Sequence, residues 1–383
     1  MQITKQKETA THFPLAGLIA LALSGFLAIM TETLPAGLLP EIAAGLHITT
    51  GSAGQLVTLY AMGSILAAIP VIAATRSWTR KHLFLTAIGG FLVFNTLTAV
   101  AVNYWMALLA RFAVGVAAGV VWGMLAGYAR RMVSDDLAGR AMAIALVGTP
   151  IALSFGVPAG TWLGSQLGWR LVFGIMSIFA AVLLVFVIRA LPDFPGTRGR
   201  EAVSYRTVWQ TPGVRPLLLV TLLWLGAHNS FYTYIAPFLQ AKHTANVDVS
   251  LLVFGIAALM SIFLTGVLID RHLRRLAIGS LVLFVISAVL LGLTSTPIIW
   301  IGLWGLSFGG AATLLQTALG QRVSDAALDI VMSLNATVWN VSIALAGALG
   351  GLLVQAGGAI LLPWVTAVIA GVALLVVIRY LQA

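Results

Sequence analysis

Twelve apolar runs, each of about twenty residues, are joined by short basic links and constrain this chain more than any other feature of its sequence. Crossing about 30 Å of hydrocarbon takes roughly 20 apolar residues in a helix. The runs lie at 14–38, 51–74, 82–101, 104–128, 138–162, 168–190, 215–238, 249–269, 276–295, 298–321, 328–354 and 358–379. Of the 383 residues, 60% are hydrophobic and 8% charged. Soluble domains carry about 25% charged residues, so this chain lacks the polar shell that a water-exposed fold of its length requires. The sequence predicts an all-α integral membrane protein.

The longest polar connection, 191–214 (LPDFPGTRGREAVSYRTVWQTPGV), divides the runs six and six. The expected organisation is therefore a six-helix bundle over 1–190, a linker over 191–214 and a second six-helix bundle over 215–383. With the N-terminus in the cytoplasm, the basic residues fall overwhelmingly on the inner side. Only Arg170 and Lys242 fall outside, and Arg111 lies within a span. This is the positive-inside pattern, and it places both termini in the cytoplasm. The first apolar run is too long for a signal-peptide core and lacks a small-residue cleavage site.

The same asymmetry accounts for the net charge of +10 without nucleic acid as a partner. There is no cysteine, which excludes disulfides and thiolate ligands. The histidines have no metal-ligand spacing, and no lysine sits in a GxxxxGK[ST] loop. No metal or cofactor is expected.

The halves echo one another. VGVAAG (114–119) matches WGLSFG (304–309) at an offset of 190, which also superposes the two VSD triplets at 133–135 and 323–325. A second register sets LLP (38–40) against IAP (235–237) and brings Asn229 opposite Glu32. Duplicated bundles are a common transporter plan, with the substrate near the midplane.

Glu32 and Arg111 are the acid and the base set well inside a span. A charge at the centre of a membrane helix costs about 2.5–3.5 kcal/mol on insertion scales and usually faces a cavity or a partner. Both residues lie seven positions from the outer end of their span, roughly 10 Å deep, which makes them natural partners. They read either as a pair fastening two helices or as functional charges. The other half has Ile301 at the position of Arg111 and Asn229 at that of Glu32, so these charges are not part of a shared scaffold.

In the fifth run, GTPIALSFGVPAG (148–160) places Pro150 and Pro158 mid-span beside Gly148, Gly156 and Gly160. Proline frees a backbone carbonyl and glycine admits a neighbouring helix, so the stretch reads as tight packing, a gating bend, or both. Candidate ligand-facing side chains are Tyr60, Trp122, His228, Asn229, Tyr232, Trp304, Phe308, Asn335, Trp339 and Asn340. Ordinary packing is the alternative for each aromatic. Asn335 and Trp339, four apart, share a helix face.

TETLPAGLLPEIAAGL (31–46), AGQLVTLYAMG (53–63), LLARFAVGVAAG (108–119), GTPIALSFGVPAG and GWRLVF (168–173) resemble the major facilitator superfamily. The likeness is to its bacterial drug:proton antiporter branch, nearest the sugar, arabinose and purine-nucleoside efflux permeases. It implies a twelve-helix fold of two pseudo-symmetric bundles with helices 1, 4, 7 and 10 around a cavity. It also implies that Glu32 and Arg111 handle the proton. The family's loop signature is degraded in VIAATRSWTRK (71–81). It is better kept in GVLIDRHLRR (266–275), where Gly266, Asp270, Arg271, Arg274 and Arg275 would form a cytoplasmic latch.

The expected function is proton-driven export of a small organic solute across a bacterial inner membrane by a monomer, with no cofactor. A facilitator or importer of the same fold is the near alternative. A membrane enzyme or a receptor is remote, because the short loops hold no catalytic cluster. A single cysteine placed in 191–214 of this thiol-free chain should label only after the membrane is permeabilised. Labelling from outside intact cells contradicts the twelve-span topology.

Overall fold

A computed structural model describes residues 13–67, 71, 74–75, 77–134, 137–196, 205–243 and 246–381, apart from the side chains of 138, 139, 270, 325, 326 and 329. All regular structure among these residues is helical. The first half comprises α1 (Leu15–Gly37), α2 (Leu39–Leu46), α3 (Thr50–Leu66), α4 (Arg80–Ala99), α5 (Tyr104–Arg131), α6 (Ala138–Leu146), α7 (Gly148–Ile151), α8 (Val157–Leu167) and α9 (Trp169–Ala190). Within the expected linker lies α10 (Tyr205–Gln210), and from the linker's end follow α11 (Val214–Thr233), α12 (Ile235–Lys242), α13 (Val247–Leu293), α14 (Pro297–Phe308), α15 (Ala311–Gly320), α16 (Asp325–Gly357) and α17 (Leu362–Tyr380).

Ten helical stretches among the described residues are long and apolar enough to cross a membrane. Every expected run contains helix, but the second and seventh fall outside those ten. α3 has 17 residues, and α11 is diluted by Arg215, His228 and Asn229. The runs at 249–269 and 276–295 form one continuous element, α13, broken at His272 (φ −135°, ψ 24°). The expected latch surrounds this break. Arg271, Arg274 and Arg275 are exposed there and Gly266 faces open space, while the Asp270 side chain lies outside the described residues.

Backbone geometry repeats along the chain. α1 breaks at Leu38 (φ −121°, ψ 15°) and α11 at Tyr234 (φ −111°, ψ 23°). The following short helices end at His47 (φ 55°) and His243 (φ 52°), the two non-glycine left-handed residues among those described. This register differs by one residue from the one read off the LLP and IAP triplets. It sets His228, rather than Asn229, opposite Glu32. A break is fixed by backbone conformation, whereas the proline match can slip.

Glycine contacts repeat as well. A Cβ on Gly115 would strike the carbonyl oxygen of Tyr60, and one on Gly119 that of Ser64. In the second half Gly305 lies against the Phe254 carbonyl and Gly309 against that of Ala258. α5 is thereby pressed onto α3 as α14 is onto α13. In lipid, apolar surface gives helices little reason to associate, and close packing of small residues supplies it.

The stretch 148–160 is packed and bent at once. Ala152–Gly156 forms a π-helical turn between α7 and α8, closed by the Val157 amide donating to the Ala152 carbonyl. A widened turn accommodates proline, which can neither donate nor fit the regular ladder. Gly148, Gly156 and Gly160 lie against Ala22, Met30 and Leu34 of α1, a four-residue ladder on both helices.

The end of the bundle where α1 begins and α17 ends carries Arg80, Arg130, Arg131, Arg189 and Arg379. Arg170 and Lys242 at the opposite end serve the backbone. Arg170 donates to the carbonyls of Gly45 (3.3 Å) and Ala101 (3.0 Å). Lys242 donates to Gly292 and Thr294 (both 3.0 Å). Each satisfies carbonyls at helix C-termini.

At that same end α3 meets α16 across the two halves. Tyr234 Oη donates to the Gly347 carbonyl at 2.6 Å, and Gln55 reaches the same oxygen at 3.3 Å. Gly54, Gly350 and Gly351 make room for the Tyr234 ring. A second seam joins the π turn to α13, where Ser154 Oγ donates to the Gly255 carbonyl at 2.8 Å.

Gly115→Ala should lower stability by about 1–3 kcal/mol, since the backbone it strikes has nowhere to go. Gly89→Ala, facing open space in α4, should be neutral or gain up to about 1 kcal/mol of helix propensity. Thermal unfolding in detergent compares them, and equal effects would remove the glycine contact as the cause.

Candidate functional site

Arg111 follows from the α3–α5 contact. Gly115 brings α5 against the Tyr60 backbone, and one turn away the Arg111 guanidinium carbon lies 4.8 Å from the Tyr60 ring centroid and 5.8 Å from that of Phe173. Arg111 is fully buried. Its Nε donates to the Leu56 carbonyl at 3.4 Å, and its two terminal nitrogens have no hydrogen-bond partner. Tyr60 Oη donates to the Ala28 carbonyl of α1 at 3.0 Å, one turn before Glu32.

Glu32 is half-buried and lies within electrostatic reach of both Arg111 and Tyr60. It makes no ion pair with Arg111. The three side chains form a charged cluster joining α1, α3 and α5, with a guanidinium held by aromatic faces rather than by a carboxylate. Cation–π contacts contribute about 0.5–2 kcal/mol, less than full desolvation of the charge costs. Arg111 is therefore left with unspent hydrogen-bonding capacity.

The second half gathers aromatic rings instead. His228 stacks on Phe308 with centroids 3.5 Å apart and planes at 6°. Tyr232, Phe254 and Trp304 surround it at 5.2, 5.7 and 5.2 Å. Trp224 meets Phe308 edge-on. His228 Nδ1, Tyr232 Oη, Trp224 Nε1 and Trp304 Nε1 are buried without partners, although buried polar groups are nearly always paired.

Of the expected residues, the structure brings Glu32, Tyr60 and Arg111 together in one cluster, and His228, Tyr232, Trp304 and Phe308 in another. Asn335 is buried and accepts from Thr221 Oγ1 at 3.0 Å, tying α16 to α11. Trp339 packs on Val57 and Ala61, across the α3–α16 seam. Asn229 and Asn340 donate to carbonyls one turn back in their own helices. Trp122 is half-buried and packs against the core. Trp224 and Phe254 were missed. Trp224 was legible from its four-residue spacing to His228 and Tyr232. Phe254 emerges from the duplication, as the counterpart of Tyr60.

Tyr60→Phe keeps the ring over Arg111 and loses only the bond to Ala28, and should cost about 0.5–1.5 kcal/mol. Tyr60→Ala also uncovers the guanidinium and should cost about 3–5 kcal/mol. Unfolding measurements separate the two, and equal losses would mean the ring does not support Arg111.

The model of the Major Facilitator Superfamily matches residues 21–264 and, in a second overlapping match, 247–383. The "Probable sugar efflux transporter" of Helicobacter pylori strain 26695 is 27% identical over 361 residues, covering 92% of this chain and 91% of the relative. The protein of the same name from Helicobacter acinonychis strain Sheeba is 28% identical over 362 residues, with the same coverage. The crystal structure of the human organic anion transporter MFSD10 (TETRAN) aligns with a TM-score of 0.68 at 16% identity, over 95% of this chain and 99% of that one. At that identity the likeness is one of fold.

Proposed function

The chain belongs to the Major Facilitator Superfamily and is a multi-pass membrane transporter rather than an enzyme, and from that premise we propose that it exports a small uncharged solute, sugar-like as its relatives' names suggest, in exchange for protons. The observation that carries this reading is the difference between the halves. Glu32, Tyr60 and Arg111 occupy positions where the other half has His228, Phe254 and Ile301. At these positions charge is confined to the first half, and the second offers ring faces and unpaired donors. Stacking surfaces and donors suit a neutral ring bearing oxygen acceptors.

In this reading twelve spans form two six-helix bundles, 1–190 and 215–383, joined by the cytoplasmic linker 191–214. Both termini face the cytoplasm and the chain works as a monomer in a bacterial inner membrane. The bundles rock about the two clusters by alternating access. A proton arriving from outside neutralises Glu32 and changes what Arg111 faces, and its release inside restores the charge. Membrane potential assists by about 2.3 kcal/mol per charge per 100 mV. No cofactor takes part. Pro150, Pro158 and the π turn between them supply the bend in the helix packed on α1. The arginines at the α13 break supply the latch.

Glu32→Gln should fold and bind solute yet lose uphill transport driven by a pH gradient, while counterflow without a gradient persists. Arg111→Lys keeps the charge without the planar face and should retain partial activity. Proteoliposome flux measures both, and uphill transport by Glu32→Gln at the parental rate would reduce Glu32 to a structural residue.

A further inference from the structure

At the end of the bundle opposite the termini lies a cavity of about 330 Å³. The first half contributes Glu41, Thr161 and Gln166 to its wall, and the second half Gln240, Asn246 and Asp248. Two carboxylates from opposite halves thus share one space in a chain of net charge +10, and no basic residue lines it. Among the described residues neither acid has an ion-pair partner. The basic side chains of that end, Arg170 and Lys242, are committed to backbone carbonyls instead.

Two further atoms point to a missing partner. Glu41 Oε2 is buried without a hydrogen bond, and so is Thr161 Oγ1, whose residue is only 2% exposed. Apart from the Trp162 indole, every polar side chain lining the cavity carries an oxygen, the donor preferred by hard cations. Among the described residues no three acidic or imidazole groups converge, which argues against a tightly caged metal. The space instead admits a cation with its water shell, since six waters take up roughly 180 Å³ at about 30 Å³ each.

We propose that this cavity binds a hydrated divalent cation, which bridges Glu41 and Asp248 and clamps the two halves together at this end. Separating the halves would disperse the site, so the cation binds the closed mouth more tightly than the open one and shifts the population toward it. With two carboxylates and retained water, the affinity falls in the millimolar to submillimolar range, about 10⁻⁴–10⁻³ M. The clamp stands independently of solute identity and proton coupling, because it is read on purified protein without transport.

The test uses the thiol-free chain with spin labels at Ala44→Cys and Val249→Cys, both exposed positions beside the cavity on opposite halves. About 5 mM MgCl₂ should increase the short-distance population. It should also raise the unlabelled protein's unfolding midpoint by about 1–3 °C over NaCl of equal ionic strength. Glu41→Gln and Asp248→Asn should each weaken the apparent Mg²⁺ affinity about tenfold or more, since each removes half of the charge. The second changes a half-buried side chain in the first turn of α13 without altering its size, and so leaves the fold intact. An equal response to NaCl, or an undiminished Mg²⁺ response in both variants, overturns the proposal. So does a response to a small organic ammonium ion with none to Mg²⁺.

Discussion

Everything at the candidate site hangs on one close approach, that of the α5 backbone at Gly115 to the carbonyl of Tyr60. Without a side chain there, two helix backbones come together, and lipid gives them no comparable incentive elsewhere. The approach fixes the distance between Tyr60 and Arg111, and so decides that the guanidinium is met by a ring face. A larger residue at 115 would disturb the helices and the charge together. Packing and electrostatics are a single constraint here.

Because that constraint occurs twice, the chain carries its own control. Gly305 and Phe254 reproduce the backbone contact of Gly115 and Tyr60 with the charge removed, and Ile301 stands fully buried where Arg111 would be. The fold therefore does not require the arginine. An apolar residue at the equivalent position satisfies the same packing without desolvating a cation, generally the more stable arrangement. A charge that the scaffold can do without, retained at this cost, is best explained by what it does.

The ten membrane-length helices and the repeat at 114–119 and 304–309 were legible because each depends on local composition or spacing. So was the irregularity of 148–160, since proline announces itself, although the π turn that absorbs it could not be read. The LLP and IAP triplets misled by one residue, and the paired breaks at Leu38 and Tyr234 set His228 opposite Glu32. The equal depth of Glu32 and Arg111 gave proximity correctly but not contact. Whether two side chains meet depends on helix rotation, which a depth argument leaves free. The α3–α16 seam was also hidden, because it joins residues nearly 300 positions apart through glycines and amides that look unremarkable in sequence.

That seam differs from the interior of each half in a way that bears on motion. Within the halves, glycine backbone contacts such as Gly115 on Tyr60 hold helices together, and Gly51 on Gly351 and Gly255 on Ser154 repeat such contacts between the halves. What the seam adds is exchangeable: Gln55 donates to the Gly347 carbonyl and Gln355 to Thr49 Oγ1, groups that water can satisfy equally well. An intramolecular hydrogen bond contributes only about 0.5–1.5 kcal/mol net, because its partners rebond to solvent when it breaks. Exchanging these bonds for water is therefore inexpensive, whereas pulling α5 from α3 within lipid would leave a void with nothing to fill it. Under the proposed alternating access, these exchangeable bonds make the boundary between the halves the easier one to part, and each half moves as a body.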